Sequence, residues 1–195
     1  MPQFYEELRE SLRCERRGLQ DSDQLAAAKG AADMLSDWLG SSCLGTAASY
    51  VATDGELSPQ VIVTELRANN WVVAYPRIDN ESLLFFRVAE EEQLRPSRFN
   101  LMEPAKGGVL IPPTELDIVL TPLVGFDARR RRMGRGGGFY DRTFAFLNSS
   151  NRQKGPLLIG LAHDLQLISR LPSRPQDVPL DAVVTPTKIY GRLPV

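Results

Sequence analysis

Between Arg129 and Phe144 the sequence reads RRRRMGRGGGFYDRTF: four arginines, a glycine turn, two aromatics and an aspartate. Gly136 to Gly138, with Gly134 just before them, let the backbone approach a ligand without a Cβ in the way. A helix starting close behind would aim its free N–H groups at the same spot and favour an anion. Arg132, Arg135 and Arg142 flank the glycines, where planar guanidiniums can take up phosphate oxygens. Asp141 either holds Mg²⁺ against those phosphates or caps the following helix. No Gly-Lys-Ser/Thr follows, so this is not a Walker A loop, and the dinucleotide fingerprint started by Gly134 and Gly136 fails at Phe139. From the residues alone, a solvated charge run, a nucleic-acid patch and a polyphosphate loop all stay open.

Elsewhere the chemistry-bearing residues are sparse. His163, the only histidine, precedes Asp164 at a strand end and reads as a structural, hydrogen-bonded side chain. Trp38 and Trp71 read as core, while Phe139 and Tyr140 can stack on a ring or pack. Cys14 and Cys43 lie far apart without CxxC spacing, so neither a disulfide framework nor a zinc site is implied.

These residues need elements to position them. Phe4, Leu8 and Leu12 recur at helical spacing up to a stop at Gly18, with Arg9, Arg13, Arg16 and Arg17 on or near the polar side. A second helix, capped at Asp21 or Ser22, runs through an alanine-rich stretch to Gly40. AASYVA (47–52), a helical PQVIVTELRAN and WVVAYP (71–76) then form a strand–helix–strand unit. LLFFRV (83–88), LDIVLTP (116–122), LLIGLA (157–162) and AVVTP (182–186) add strands. Their fully apolar character predicts coverage on both faces. TFAFLNS is expected to continue as a helix from Asp141, and residues 90–113 read as an irregular excursion that closes over a site. The loop carrying the glycines follows a strand, which is where open α/β sheets gather ligands.

The totals narrow the classes. With 195 residues and 43% hydrophobic content, one domain spanning 1–195 is expected. A net charge of −1 excludes the broad basic field of a general nucleic-acid binder, so any positive field is local. No stretch approaches a membrane span and the N-terminal helix is charged throughout, so a soluble, cytoplasmic protein is expected. Among the basic residues only Lys29, Lys106, Lys154 and Lys188 are lysines.

MGRGGGFYDR after TPLVGFD resembles the signature of the 5-formyltetrahydrofolate cyclo-ligase (methenyltetrahydrofolate synthetase) family. The likeness extends to the Arg-rich first helix, ATDGELSP (52–59), VVAYPRI, IGLAHD (159–164) and DAVVTP (181–186). It implies a three-layer α/β/α domain with a mostly parallel sheet behind the N-terminal helical segment. The implied activity is ATP-dependent closure of 5-formyltetrahydrofolate to 5,10-methenyltetrahydrofolate, with release of ADP and phosphate. The implied route is phosphorylation of the formyl oxygen and attack by N10.

Residue by residue, the resemblance implies that ATP is wrapped by Arg132, Met133, Gly134, Arg135, Gly136, Gly137, Gly138, Phe139 and Tyr140. Arg9 and Arg13 would reach its phosphates from the first helix. The folate would meet Val51, Glu56, Arg135, Gly136, Gly137, Gly138 and Phe139, with Arg132, Arg135 and Tyr140 as catalytic residues and Mg²⁺ held by Asp141 and Asp181. The chain departs from the family pattern at Tyr5, where a basic residue is usual, and at Arg129 to Arg131, where a polar turn is usual; that run reads as solvated surface. The expected partners are 5-formyltetrahydrofolate and Mg-ATP, with a monomeric protein and neither nucleic acid nor membrane. Two other readings compete: a non-catalytic folate-binding relative, and an RNA-binding module built on the Arg/Gly stretch.

Overall fold

The apolar runs assemble into a sheet covered on both faces. The computed structural model describes residues 2–41, 45–89, 94–97, 101–105, 107–148 and 155–193. The first half contains α1 (Pro2–Arg17), α2 (Asp21–Ser41), β1 (Thr46–Ala48), α3 (Gln60–Ala68), β2 (Val72–Asp79), β3 (Ser82–Arg87), β4 (Leu94–Pro96), β5 (Met102–Pro104) and β6 (Leu110–Ile111). The second contains β7 (Ile118–Pro122), β8 (Gly125–Asp127), β9 (Arg132–Met133), α4 (Phe139–Thr143), β10 (Leu157–Leu161), β11 (Leu167–Ile168), β12 (Ala182–Val184) and β13 (Ile189–Gly191).

The main sheet has the order β13-β12-β10-β7-β1-β2-β3-β6. Its centre, from β12 to β2, is parallel, and β13, β3 and β6 join antiparallel. Successive residues feed opposite faces, as strand geometry requires. Ile118 and Leu120 join a core with Leu35, Ile62 and Val63 of α2 and α3, whereas Val119 joins Phe126, Phe144 and Leu147 on the other side. The small residues of α2 serve close packing: Ala31 and Ala32 are fully buried, and a Cβ at Gly30 would lie 2.9 Å from Pro186 O.

Connectivity reverses at the middle of this sheet. From β1 the chain crosses through α3 to β2 on one side, and from β7 it crosses through α4 to β10 on the other. Right-handed crossovers in opposite directions put their helices on opposite faces, which is what the two cores record. A switch point therefore opens between β1 and β7 at their carboxyl ends.

Several local expectations change. The strand expected over 47–52 ends at Ala48, although Ser49 N still bonds Ala74 O. The helix expected from Asp141 through TFAFLNS is a five-residue α4 followed by a 3-10 turn at Ala145–Asn148. The described parts of the 90–113 excursion form a β4–β5 hairpin, and β6 pairs with β3 at the sheet edge. Cys14 is free and exposed; Cys43 lies outside the described residues. Among the described residues no helix is long and apolar enough to cross a membrane.

Helix α1 differs most from its sequence pattern. Arg16, expected near the polar side, has 0% exposure. Its guanidinium donates to Asp54 O, Asp54 Oδ2 and Leu123 O, each at 2.8–2.9 Å. Leu12 packs with Val124, Met133 and Leu171, and the bare Cα of Gly125 makes room for it, since a Cβ there would lie 2.8 Å from Leu12 Cδ1. Replacing Arg16 takes a buried donor from the Asp54 carboxylate, Asp54 O and Leu123 O, leaving the carboxylate to Arg13 and Arg17 and Leu123 O to Gln166. Arg16→Met is expected to lower stability by about 3 kcal/mol, measured as a drop in the urea unfolding midpoint; a change within a few tenths of a kcal/mol would contradict this role.

Candidate active site

The switch point holds a cavity of about 490 Å³. Tyr50 and Val51 enter it after β1, and Pro122 and Leu123 at the end of β7. Pro76, Ile78 and Leu83 come from β2 and β3, and Leu101, Met102 and Glu103 from the excursion, so the apolar wall is its larger part. The opposite wall is Arg132, Asp141 and the loop from Gly134 to Tyr140.

The glycine loop leaves space that no protein atom fills. A Cβ at Gly134 or Gly136 would meet nothing within 4 Å, and Gly136 has φ 101°, a conformation only glycine adopts freely. The loop is held from three sides. Arg9 Nε of α1 donates to Gly134 O, and Arg142 donates to Gly137 O and Glu81 O. Arg135 Nη2 donates to Thr53 O and Thr53 Oγ1 and lies 3.0 Å from Glu56 Oε1.

Glu56 is the buried member of that pair, with a 6% exposed side chain against 39% for Arg135. Its Oε2 accepts from Thr53 N, and Arg16 stands 3.8 Å from Oε1. Burial pushes its carboxyl up, while Arg135 opposes the shift. Tyr140 is likewise raised by burial and then by Glu56, so its phenol stays a proton donor. Across the loop, Arg132 donates to Val178 O and Asp141 Oδ1, and Asp141 Oδ1 also accepts from Val178 N. Burial lowers the Arg132 guanidinium, an effect that Asp141 resists.

The candidates thus separate. Val51, Glu56, Arg132, Gly134 to Tyr140 and Asp141 all border one cavity. Met133 does not: its side chain is buried beneath α1 with Leu12, and its carbonyl accepts from Val124 N. Arg13 is engaged by Asp54 and Glu10, and neither it nor Arg9 is in the cavity lining. Arg142 is spent on backbone carbonyls rather than turned toward phosphate. Asp181 begins β12, and its Oδ2 accepts from Leu158 N at the amino end of the neighbouring β10. It lies outside the cavity that Asp141 borders, because strand polarity puts it at the opposite edge of the sheet.

The arginine run is also not simply solvated. Asp127, 1% exposed, accepts from Arg129 N, Arg131 N and Leu171 N. Arg130 has φ 66° and donates to Asp181 O, and Arg131 donates to Leu171 O. Only Arg129 of that run has no side-chain partner among the described residues. Sequence reasoning missed Tyr50, Thr53, Glu103 and the apolar wall. Thr53 stood inside the quoted ATDGELSP, whereas Glu103 had only its place in the excursion as a signal. His163 is buried as expected, with Nε2 3.2 Å from Gly55 O.

The family model for 5-formyltetrahydrofolate cyclo-ligases matches residues 3–186. The chain belongs to this family. A 5-formyltetrahydrofolate cyclo-ligase of Escherichia coli is 36% identical over 185 residues, covering 92% of this chain and 98% of the relative. That of Haemophilus influenzae is 37% identical over 137 residues, covering 68% and 71%. The solution structure of the Aquifex aeolicus 5,10-methenyltetrahydrofolate synthetase superposes with a TM-score of 0.76 at 25% identity, over 95% of this chain and 91% of that one. As a cyclo-ligase family member the protein has the expected mixed α/β fold with a mostly parallel sheet.

The turn that carries Glu56 is itself pH-sensitive. Burial tends to raise the Asp54 carboxyl, but hydrogen bonds from Arg13 and Arg16 outweigh it and bring it from an ordinary 3.8 to about 2. A depressed folded value stabilises the protein above the unfolded pKa, and that contribution disappears as pH falls through the folded one. Asp54→Asn should therefore flatten the acid limb of the urea midpoint between pH 3.8 and about 2; an unaltered limb would show that Asp54 does not couple the turn to α1.

Proposed function

We propose that this cyclo-ligase family member catalyses ATP-dependent closure of 5-formyltetrahydrofolate to 5,10-methenyltetrahydrofolate. The observation that carries the reading is one cavity with an apolar wall for a ring system facing an open glycine loop flanked by Arg132, Arg135 and Asp141. A formyl oxygen is a poor leaving group, and phosphorylation makes it a good one. The bond between the γ-phosphorus and ADP breaks as a bond to the formyl oxygen forms. N10 then attacks the formyl carbon, the N10 proton is lost, and the carbon–oxygen bond breaks to release phosphate.

In this scheme Arg135 and the loop backbone face the transferring phosphoryl group, where preorganised donors act most strongly on developing charge. To do so Arg135 exchanges part of its Glu56 and Thr53 contacts for phosphate, which its partial exposure permits. Arg132 holds Asp141, and Tyr140 presents a protonated hydroxyl near Glu56 and Arg132. The described residues contain no group of three His, Cys, Asp or Glu able to bind a metal alone. One cavity carboxylate still suits Mg²⁺, which is commonly held by one or two carboxylates plus substrate phosphates. Asp141 would hold it, and Mg²⁺ would supply charge neutralisation for phosphoryl transfer. Asp181 is not offered as its ligand. Nearly all the loop arginines have protein partners, which favours a small-molecule site over an RNA surface.

Purified protein mixed with 5-formyltetrahydrofolate and Mg-ATP should develop the near-ultraviolet absorbance of the methenyl product in step with ADP release. Folate binding without turnover would instead mark a non-catalytic relative, and salt-sensitive RNA retention without folate binding would overturn the reading. Asp141→Asn should raise the Mg²⁺ concentration for half-maximal rate on the order of 10–100-fold with an unchanged circular dichroism spectrum. An unshifted Mg²⁺ dependence would remove Asp141 from the metal role.

A further inference from the structure

The turn after β1 and the glycine loop meet in one ion pair, and both of its residues line the cavity. Arg135 Nη2 lies 3.0 Å from Glu56 Oε1 and also donates to Thr53 O at 3.0 Å and to Thr53 Oγ1 at 2.6 Å. Asp54 Oδ2 stands 4.0 Å away. Oxygens of a single turn therefore draw the guanidinium toward the turn.

The two partners are unequally placed. The Arg135 side chain is 39% exposed and free to move, whereas that of Glu56 is 6% exposed and held at Oε2 by Thr53 N. Among the described residues the only other cation within 4.0 Å of Glu56 is Arg16, at 3.8 Å, and its guanidinium is already bound to Asp54 and Leu123 O. Withdrawing Arg135 thus takes the nearest counter-charge from a buried carboxylate, and removing one partner of a buried pair is costly.

We propose that the Glu56–Arg135 pair couples the two substrates: it restrains Arg135 from phosphate in the free protein and makes ATP and the reduced folate bind more tightly together than apart. This rests on the ATP and folate reading of the site. A triphosphate on the glycine loop draws on Arg135, while the N3–H and 2-amino donors of a pterin ring draw on the carboxylate. Each ligand opens the same pair. The first to arrive works against it, and the second finds its own partner already released. Such coupling is reciprocal, so one factor describes the effect of either ligand on the other.

The test is calorimetric titration of non-hydrolysable β,γ-methylene ATP with Mg²⁺ into wild type, Glu56→Gln and Thr53→Val, each with and without 5-formyltetrahydrofolate. Wild type should bind the analogue about 5–150-fold more tightly when folate is present, the usual span of such couplings. Glu56→Gln removes the charge that restrains Arg135, so it should bind the analogue alone more tightly than wild type does, with the folate effect largely gone. A merely structural role for Glu56 would weaken the analogue instead, and that result overturns the inference. Thr53→Val deletes a neutral acceptor but leaves the ion pair, and should keep the coupling. Equal affinity of wild type with and without folate would overturn the inference alone. So would coupling retained in Glu56→Gln, which would place it in direct contact between the ligands, or coupling lost equally in both variants, which would place it in the shape of the turn. Wild type that fails to bind the folate or the nucleotide under any of these conditions would remove the reading of the site and this inference with it.

Discussion

The buried guanidinium of Arg16 is the interaction on which the site depends. It ties α1 to the turn after β1 through Asp54, and to the end of β7 through Leu123 O. Those are the two strand ends between which the cavity opens. The turn can approach so closely because Gly55 is bare: a Cβ there would lie 2.7 Å from Arg16 O, and its φ is 71°. A buried ion pair of this kind contributes little net stability over an apolar replacement of both partners together, but removing one partner is costly and the pair demands one arrangement. Here that arrangement sets the position of Glu56, and through Glu56 that of Arg135.

A second constraint comes from sheet topology. The crossovers leaving β1 and β7 run in opposite directions, so no helix packs over the gap at their carboxyl ends. The glycine loop, fixed by α1 through Arg9 and by the β2–β3 turn through Arg142, is brought across that gap. Site geometry is thus set by long-range bonds from rigid elements rather than by the dipole of the five-residue α4, which is too short to supply much field.

The central strands were legible because strands covered on both faces are largely apolar, as LDIVLTP and LLIGLA are. Strands β8, β9 and β11 were not, since two or three residues carry no periodicity. The glycine loop and Glu56 were legible from their motifs, and both border the cavity. What the motif could not show was direction. Arg13 and Arg9 share a helix face one turn apart, yet one meets a carboxylate and the other the glycine loop. Asp181 and Asp141 both precede signature residues, but strand polarity separates them. Arg16 was misplaced because spacing locates a residue on a helix face without revealing that an acidic turn lies against it.

The near-zero net charge acquires a physical meaning from these pairings. Arg13, Arg16 and Arg17 neutralise Asp54, Arg132 faces Asp141, and Arg135 faces Glu56, so the basic residues do not sum to a broad positive surface. The low-dielectric walls of the cavity strengthen the interactions made inside it. In the free protein Arg135 is oriented by contacts it can share or exchange, whereas Arg132 is buried and fixed. On the proposed reading, Arg132 needs no rearrangement to meet a phosphate, whereas Arg135 gives up part of its protein contacts to do so.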